Sequence, residues 1–271
     1  MLDTSSLQEA ISGQAAGLRI FGRKTIRVLP VTFGARGTGH TTCVINLAAA
    51  LASLGIRVVV IDAGRTMIAP ALGLRAKYEL LHLLNGERTF PETILRAPEF
   101  LVLPATKGLD DFIQSGSPAD DLFAAFGRLS TPVDLVMLAA PPTAIAQLLG
   151  PASDVLFVQN DNPESITATY SSMKKMSEDS GCHRFRTLIN NVEQECQAHD
   201  GYARLADTAA RYFQAHLALA GVVTKDPMVK RAVAAQGHLF RGEASPARAA
   251  FLRVAVDIAN WQLAEFSKFS D

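Results

Sequence analysis

The chain has 271 residues, enough for one large α/β domain with a buried core. Its 26 basic and 26 acidic side chains cancel, which excludes a general electrostatic grip on DNA or anionic lipid and leaves room only for a local basic patch. No apolar run approaches the ~18 residues of a membrane span, the N-terminus lacks the order of a signal peptide, and Cys43, Cys182 and Cys196 have neither CxxC nor metal-ligand spacing; a cytoplasmic, reducing location is expected.

Residues 1–20 read as a separate piece. Ser6-Leu7-Gln8-Glu9 spells a capping box, in which the serine hydroxyl accepts from the third helical N–H and Glu9 reaches back. Leu7, Ile11 and Leu18 then share one helical face. Gly13 and Gly17 each weaken the helix by roughly 1 kcal/mol relative to alanine, so it needs a partner or its own domain to order. Gly22-Arg23-Lys24 reads as a linker.

The first predicted strand covers 26–32 and leads into Phe33-Gly34-Ala35-Arg36-Gly37-Thr38-Gly39-His40-Thr41-Thr42. This reads G-x-x-x-x-G-His-Thr where a Walker A loop reads G-x-x-x-x-G-Lys-Thr/Ser. Such a loop points backbone N–H groups at a phosphate in the mouth of a helix. Gly34, Gly37 and Gly39 allow the curvature, Thr38 and Thr42 lie within the loop, and Thr41 stands where a Mg²⁺-binding hydroxyl stands. The bridging lysine is replaced by His40, which is shorter and neutral at pH 7 unless a phosphate raises its pKa. Arg36 offers charge from elsewhere in the loop, with a different reach. A helix over 41–54 follows, with Val44, Leu47, Ala48, Leu51 and Leu54 on one face and Gly55 as its stop.

Further strands are expected at 57–61, 100–104, 133–138, 154–158, 185–190 and 217–223, and helices at 78–84, 118–129, 164–179 and 201–214. Most strands are continuous apolar runs, as expected for burial on both faces. The alternation predicts an α/β fold: a doubly wound, mainly parallel sheet with helices on both faces. Its ligand edge lies at the carboxyl ends of the strands, with the Gly34–Thr42 loop, Asp62 and Asn190. Residues 246–266 read as a last apolar helix, carrying Phe251, Val254, Ile258, Trp261 and Phe266. Only Arg253 and Lys268 are basic near its end, so core packing is expected rather than a membrane-surface role. The resulting division is an N-terminal helix and linker at 1–25, a P-loop domain at 26–260 and a tail at 261–271.

These residues resemble the MinD/ParA-type ATPases, whose loop reads K-G-G-x-G-K-T, and the similarity continues through 46–52 and 55–62. Four departures stand out: the family's signature lysine is Ala35, the P-loop lysine is His40, the second aspartate of Asp-x-Asp is Gly64, leaving only Asp62, and the Walker B aspartate is Ala139. The resemblance therefore implies weak or lost hydrolysis, with ATP or ADP held at reduced affinity and Mg²⁺ held weakly, through Thr41. Asn190 matches a position that contacts adenine in relatives, and equally suits a strand-end cap. Asp226-Pro227 matches a loop near the base, and is also a common turn dipeptide.

The resemblance sharpens toward the FlhG/FleN branch, which controls flagellar number and placement. Pro163-Glu164-Ser165-Ile166-Thr167-Ala168-Thr169-Tyr170 resembles that branch's P-x-S-I-T-D-A-Y, and Arg184-Phe185-Arg186 and the run from Asp226 to Val233 fit it too. Gly13-Gln14-Ala15-Ala16-Gly17-Leu18-Arg19 resembles the D-Q-A-x-x-L-R helix with which FlhG proteins stimulate FlhF, a signal-recognition-type GTPase, although Gly13 replaces the aspartate. The resemblance implies partner contacts by Gln14, Ala15, Leu18 and Arg19, with Gln14 orienting an attacking water in trans. It also implies homodimers, contacts with basal-body or transcription-regulator components, and a peripheral position at the polar membrane. Two alternatives stay open: a working ATPase that cycles between monomer and ATP dimer, and a ParA-like or cellulose-synthesis-associated relative.

Overall fold

The computed structural model describes residues 25–63, 67–127, 132–149 and 153–267. Gln14, Ala15, Leu18 and Arg19 of the N-terminal helix, and Gly64, lie outside them. Nine strands are described: β1 (Thr25–Phe33), β2 (Val58–Ala63), β3 (Leu95–Arg96), β4 (Leu101–Ala105), β5 (Leu135–Ala139), β6 (Val155–Gln159), β7 (Arg184–Val192), β8 (His216–Thr224) and β9 (Ala264–Ser267). The described α-helices are α1 (His40–Ser53), α2 (Ile68–Ala71), α3 (Leu80–Leu84), α4 (Phe90–Thr93), α5 (Gly108–Gln114), α6 (Ala119–Gly127), α7 (Pro142–Leu148), α8 (Pro163–Ser180), α9 (Glu195–Phe213), α10 (Pro227–Ala234) and α11 (Pro246–Asp257). None of them is long and apolar enough to cross a membrane.

The strands form one sheet in the order β3-β4-β2-β5-β1-β6-β7-β8. All its pairs are parallel except the edge pair β3–β4 and the added strand β9 on β1. The apolar runs explain this arrangement. Every residue of β2, β5 and β6 is buried, and only an interior strand with both faces covered can use such a sequence. Side chains alternate between two cores. Ile26 and Val28 face the layer that includes α5 to α9, whereas Leu29 and Val31 face the layer of α1 and α11.

The C-terminal end departs from the sequence expectation. The helix over 246–266 stops at Asp257, continues as a single 3₁₀ turn (Ile258–Asn260) and becomes strand β9. Three carbonyls at the helix end, those of Ile258, Ala259 and Trp261, accept from Arg27 Nη2 at 3.2, 3.4 and 3.0 Å. Asp154 then holds the turning chain: its N–H donates to Gln262 O at 2.7 Å and its Oδ2 accepts from Gln262 N at 3.1 Å. Asp154 is itself paired with Arg184 and Arg186, each at 2.9 Å. Beyond this clamp β9 runs antiparallel to β1, Thr25 opposite Ser267 and Val28 opposite Ala264. Strand β6 reaches β1 only at Val31 to Phe33, so β9 covers the part of β1 that β6 leaves. Phe266 packs on Phe123, ring centroids 4.4 Å apart.

Candidate phosphate-binding site

Strand β1 ends at Phe33 and α1 begins at His40, so the glycine-rich segment is the turn that joins a central strand to the helix behind it. Gly37 and Gly39 take φ values of +80° and +79°, a region where a side chain is strained and glycine is not. Gly39 is the residue just before α1. Arg36 and Gly37 form a turn, and Cys43 N closes the first helical turn on Gly39 O at 2.9 Å. The loop therefore sets its backbone at the N-terminus of a 14-residue helix, the arrangement in which aligned dipoles and N–H groups favour an anion. A phosphate fits this frame.

The side chains around the frame fit less well. The His40 ring packs back against the end of β1. Its Nε2 lies 3.1 Å from Val31 O, its ring stands 4.8 Å from that of Phe33, and only 6% of the residue is exposed. A carbonyl can only accept, so Nε2 carries a proton and donates it. Burial pushes its pKa down from 6.5 to about 4, against the raising effect of the Val31 hydrogen bond. The apolar wall of Phe33 and the carbonyl of β1 capture the ring because imidazole is too short to reach past the loop as lysine does. His40 can thus offer a phosphate its backbone N–H, but no cationic side chain. Arg36 is exposed at the loop's tip.

Ala139 lies in register between Val31 of β1 and Asp62 of β2 and is fully buried. At this point of the strand the sheet presents a methyl group. Asp62, at the end of β2, is buried and its Oδ2 accepts from Ala69 N of α2 at 3.0 Å. Thr41 and Thr42 occupy the first turn of α1, and both are partly exposed.

Asn190 takes a role between the two that its position allowed. Its Nδ2 donates to Thr38 O of the loop at 2.8 Å, and a side chain added at Gly39 would sit 2.3 Å from that nitrogen. The amide therefore holds the loop against β7. A register shift between Asn190 and Val192, with Asn191 at φ +61°, locally kinks the strand there. The grip continues through residues that no motif singles out for this purpose. Asn160 Nδ2 donates to Asn190 O at 2.9 Å, and Asn160 N donates to Ser165 Oγ of α8 at 3.0 Å. Ser165 and Thr169 belong to the quoted Pro163–Tyr170 motif; Asn160, two residues beyond the expected end of β6, carried no signal. Gly34 meets the same helix directly, since a Cβ there would lie 2.4 Å from both Cα and N of Thr169.

Asp226 serves the fold. Its Oδ1 accepts from Met228 N at 2.8 Å to cap α10, and its Oδ2 accepts from Ala247 N at 3.1 Å at the start of α11. Burial works to raise its pKa, but the hydrogen bonds from Met228, Ser245 and Ala247 outweigh it and hold the carboxyl below its usual value. The structure thus brings together the loop, Asp62 and Asn190 at the carboxyl edge of the sheet, and ties Asp226 into a junction between helices.

Comparison with known proteins agrees with this geometry. Residues 31–239 match the CbiA family, described as the CobQ/CobB/MinD/ParA nucleotide binding domain. The antiactivator FleN of Pseudomonas aeruginosa is 30% identical over 246 residues, which cover 88% of this chain and 88% of FleN. The solved MinD cell division protein of Aquifex aeolicus superposes with a TM-score of 0.66 at 19% identity, covering 86% of this chain and 97% of MinD. The septum site-determining protein MinD from Pyrococcus horikoshii, solved with Mg-ADP, gives 0.59 at 18% identity over 86% of this chain and 96% of that one. The chain belongs to the MinD/ParA family of nucleotide-binding proteins, and within it to the FlhG/FleN branch.

Proposed function

We propose that this protein is a regulator of flagellar number and placement that uses a MinD/ParA scaffold as a binding module, with hydrolysis of ATP weak or lost. The observation that carries the reading is the contrast at the loop: its glycine-rich backbone sits at the N-terminus of a 14-residue helix, while His40 is buried with a depressed pKa and Ala139 offers only a methyl group. Phosphoryl transfer depends on fixed positive charge and a placed metal around the γ-phosphate. Ala35, His40 and Ala139 supply neither. Backbone amides alone can still bind ATP or ADP, at an affinity below that of a loop with its lysine.

The similarity to FleN supports the flagellar assignment. In this reading the active element is the N-terminal helix, through which Gln14, Ala15, Leu18 and Arg19 engage a signal-recognition-type GTPase such as FlhF. Gln14 would orient the attacking water beside the partner's γ-phosphate, Arg19 would meet a phosphate or an acidic surface, and Leu18 with Ile11 would anchor the helix. Homodimerisation and docking to basal-body or transcription-regulator components belong to the same reading, as does a peripheral position at the polar membrane. The test is GTP hydrolysis by the cognate FlhF in the presence of the full chain. Wild type should accelerate it at least tenfold and Gln14→Ala should lose most of that effect; no acceleration by wild type would overturn the partner assignment.

A further inference from the structure

Thr32, Gln159, Thr169 and Thr187 are each 0% exposed. Neither the three hydroxyls nor either atom of the Gln159 amide makes a hydrogen bond within the described structure. The four residues share one place. Thr32 pairs with Phe157 and Phe157 with Thr187, so the three stand side by side across β1, β6 and β7 on one face of the sheet. Gln159 follows two residues after Phe157 and projects from the same face. That face is the one covered by Met173 and Met176 of α8, and Thr169 precedes Met173 by one helical turn. Gly34, two residues after Thr32, touches the Thr169 backbone. The polar group thus lies between the sheet and the first half of α8, immediately behind the phosphate loop.

Five buried polar atoms without partners are costly, because each has given up its hydrogen bonds to water. A polar enclosure with several convergent donors and acceptors is where interior water is found. We propose that these four side chains form a binding site for ordered water, a wet seam between α8 and the strands β1, β6 and β7. Gln159 supplies both a donor and an acceptor at its centre, and the threonine hydroxyls complete the coordination. The seam also bears on the loop. Gly34 leaves no space between loop and helix, so a movement of the loop toward α8 must displace the helix. A layer of water lets the helix follow without unpacking interdigitated apolar side chains, which its second half would have to do.

Two measurements on the full chain test this. A high-resolution crystal structure should show water within hydrogen-bonding distance of the Gln159 amide and of at least one of the three hydroxyls; an amide surrounded by apolar groups with no water would overturn the proposal. Urea unfolding of Gln159→Leu supplies the sign. Removing a hydrated amide should lower the midpoint and shift the unfolding constant about five- to tenfold toward the unfolded state, whereas removing a dry, unpartnered amide would raise the midpoint. Should Gln159→Leu fail to fold, Thr187→Val carries the same sign test with little change of shape. No nucleotide enters either measurement, so the outcome is independent of the nucleotide-binding assignment.

Discussion

At the scale of single residues, His40 and Gly34 carry the most information. The motif places His40 at the lysine position, but the motif cannot say where the ring points. That was decided by Phe33 and the Val31 carbonyl, neighbours in space whose pull on imidazole no spacing rule records. The consequence is a pH dependence. Because the folded-state pKa is depressed from 6.5 to about 4, the unfolded chain binds more protons between those values, and stability falls as pH drops through that window. By pH 5 the loss from this residue should be about 2 kcal/mol relative to pH 7.5. Urea midpoints of wild type and His40→Leu across pH 4.5 to 7.5 check it: the variant should show a shallower decline, and parallel curves would contradict the assignment. Gly34 gives a steric prediction. The obstruction to a Cβ there is the Thr169 backbone, not a flexible side-chain end. Gly34→Ala should therefore destabilise the fold by about 2 kcal/mol, measured by thermal or urea unfolding.

At the scale of elements, the long apolar runs and the amphipathic helices were legible because they carry strong periodicity. Strands β1, β2 and β4 to β8 and helices α1, α3, α6, α8 and α9 lie within a few residues of where pattern reading puts them, although α9 begins earlier, at Glu195. Strand β9 was not legible. It is four residues long, it follows a helix without a proline or glycine break, and its strand character comes from pairing with Thr25 to Val28 and from the Asp154 clamp. The two-residue β3 is too short to carry a periodic pattern. A tail that completes the sheet has a measurable role. Phe266→Ala removes the contact with Phe123 and should cost about 2 kcal/mol in unfolding free energy. A variant with unchanged stability would mean that β9 does not pack as described. The single tryptophan reports on this region, since Arg186 lies over the Trp261 ring at 4.5 Å; its fluorescence should change cooperatively with the main unfolding transition.

At the scale of the whole molecule, the phosphate loop, Asn190 and the N-terminal half of α8 act as one assembly at the carboxyl edge of the sheet. The loop and its edge position were readable from the glycines and the βα alternation. The hydrogen bonds from Thr38 through Asn190 and Asn160 to Ser165 were not, because they join residues 152, 30 and 5 positions apart in the chain with no pattern to link them. In the proposed reading the fold keeps the frame for a phosphate, while Ala35, His40 and Ala139 bring it neither a cationic nor a metal-holding side chain. Binding and turnover should therefore be separable in this protein. The most direct test is ATP binding by calorimetry, with and without Mg²⁺, alongside phosphate release by the same preparation. The account predicts measurable binding by wild type without sustained phosphate release, and stronger binding by His40→Lys. Steady release of phosphate by wild type, abolished by Thr41→Ala, would contradict it.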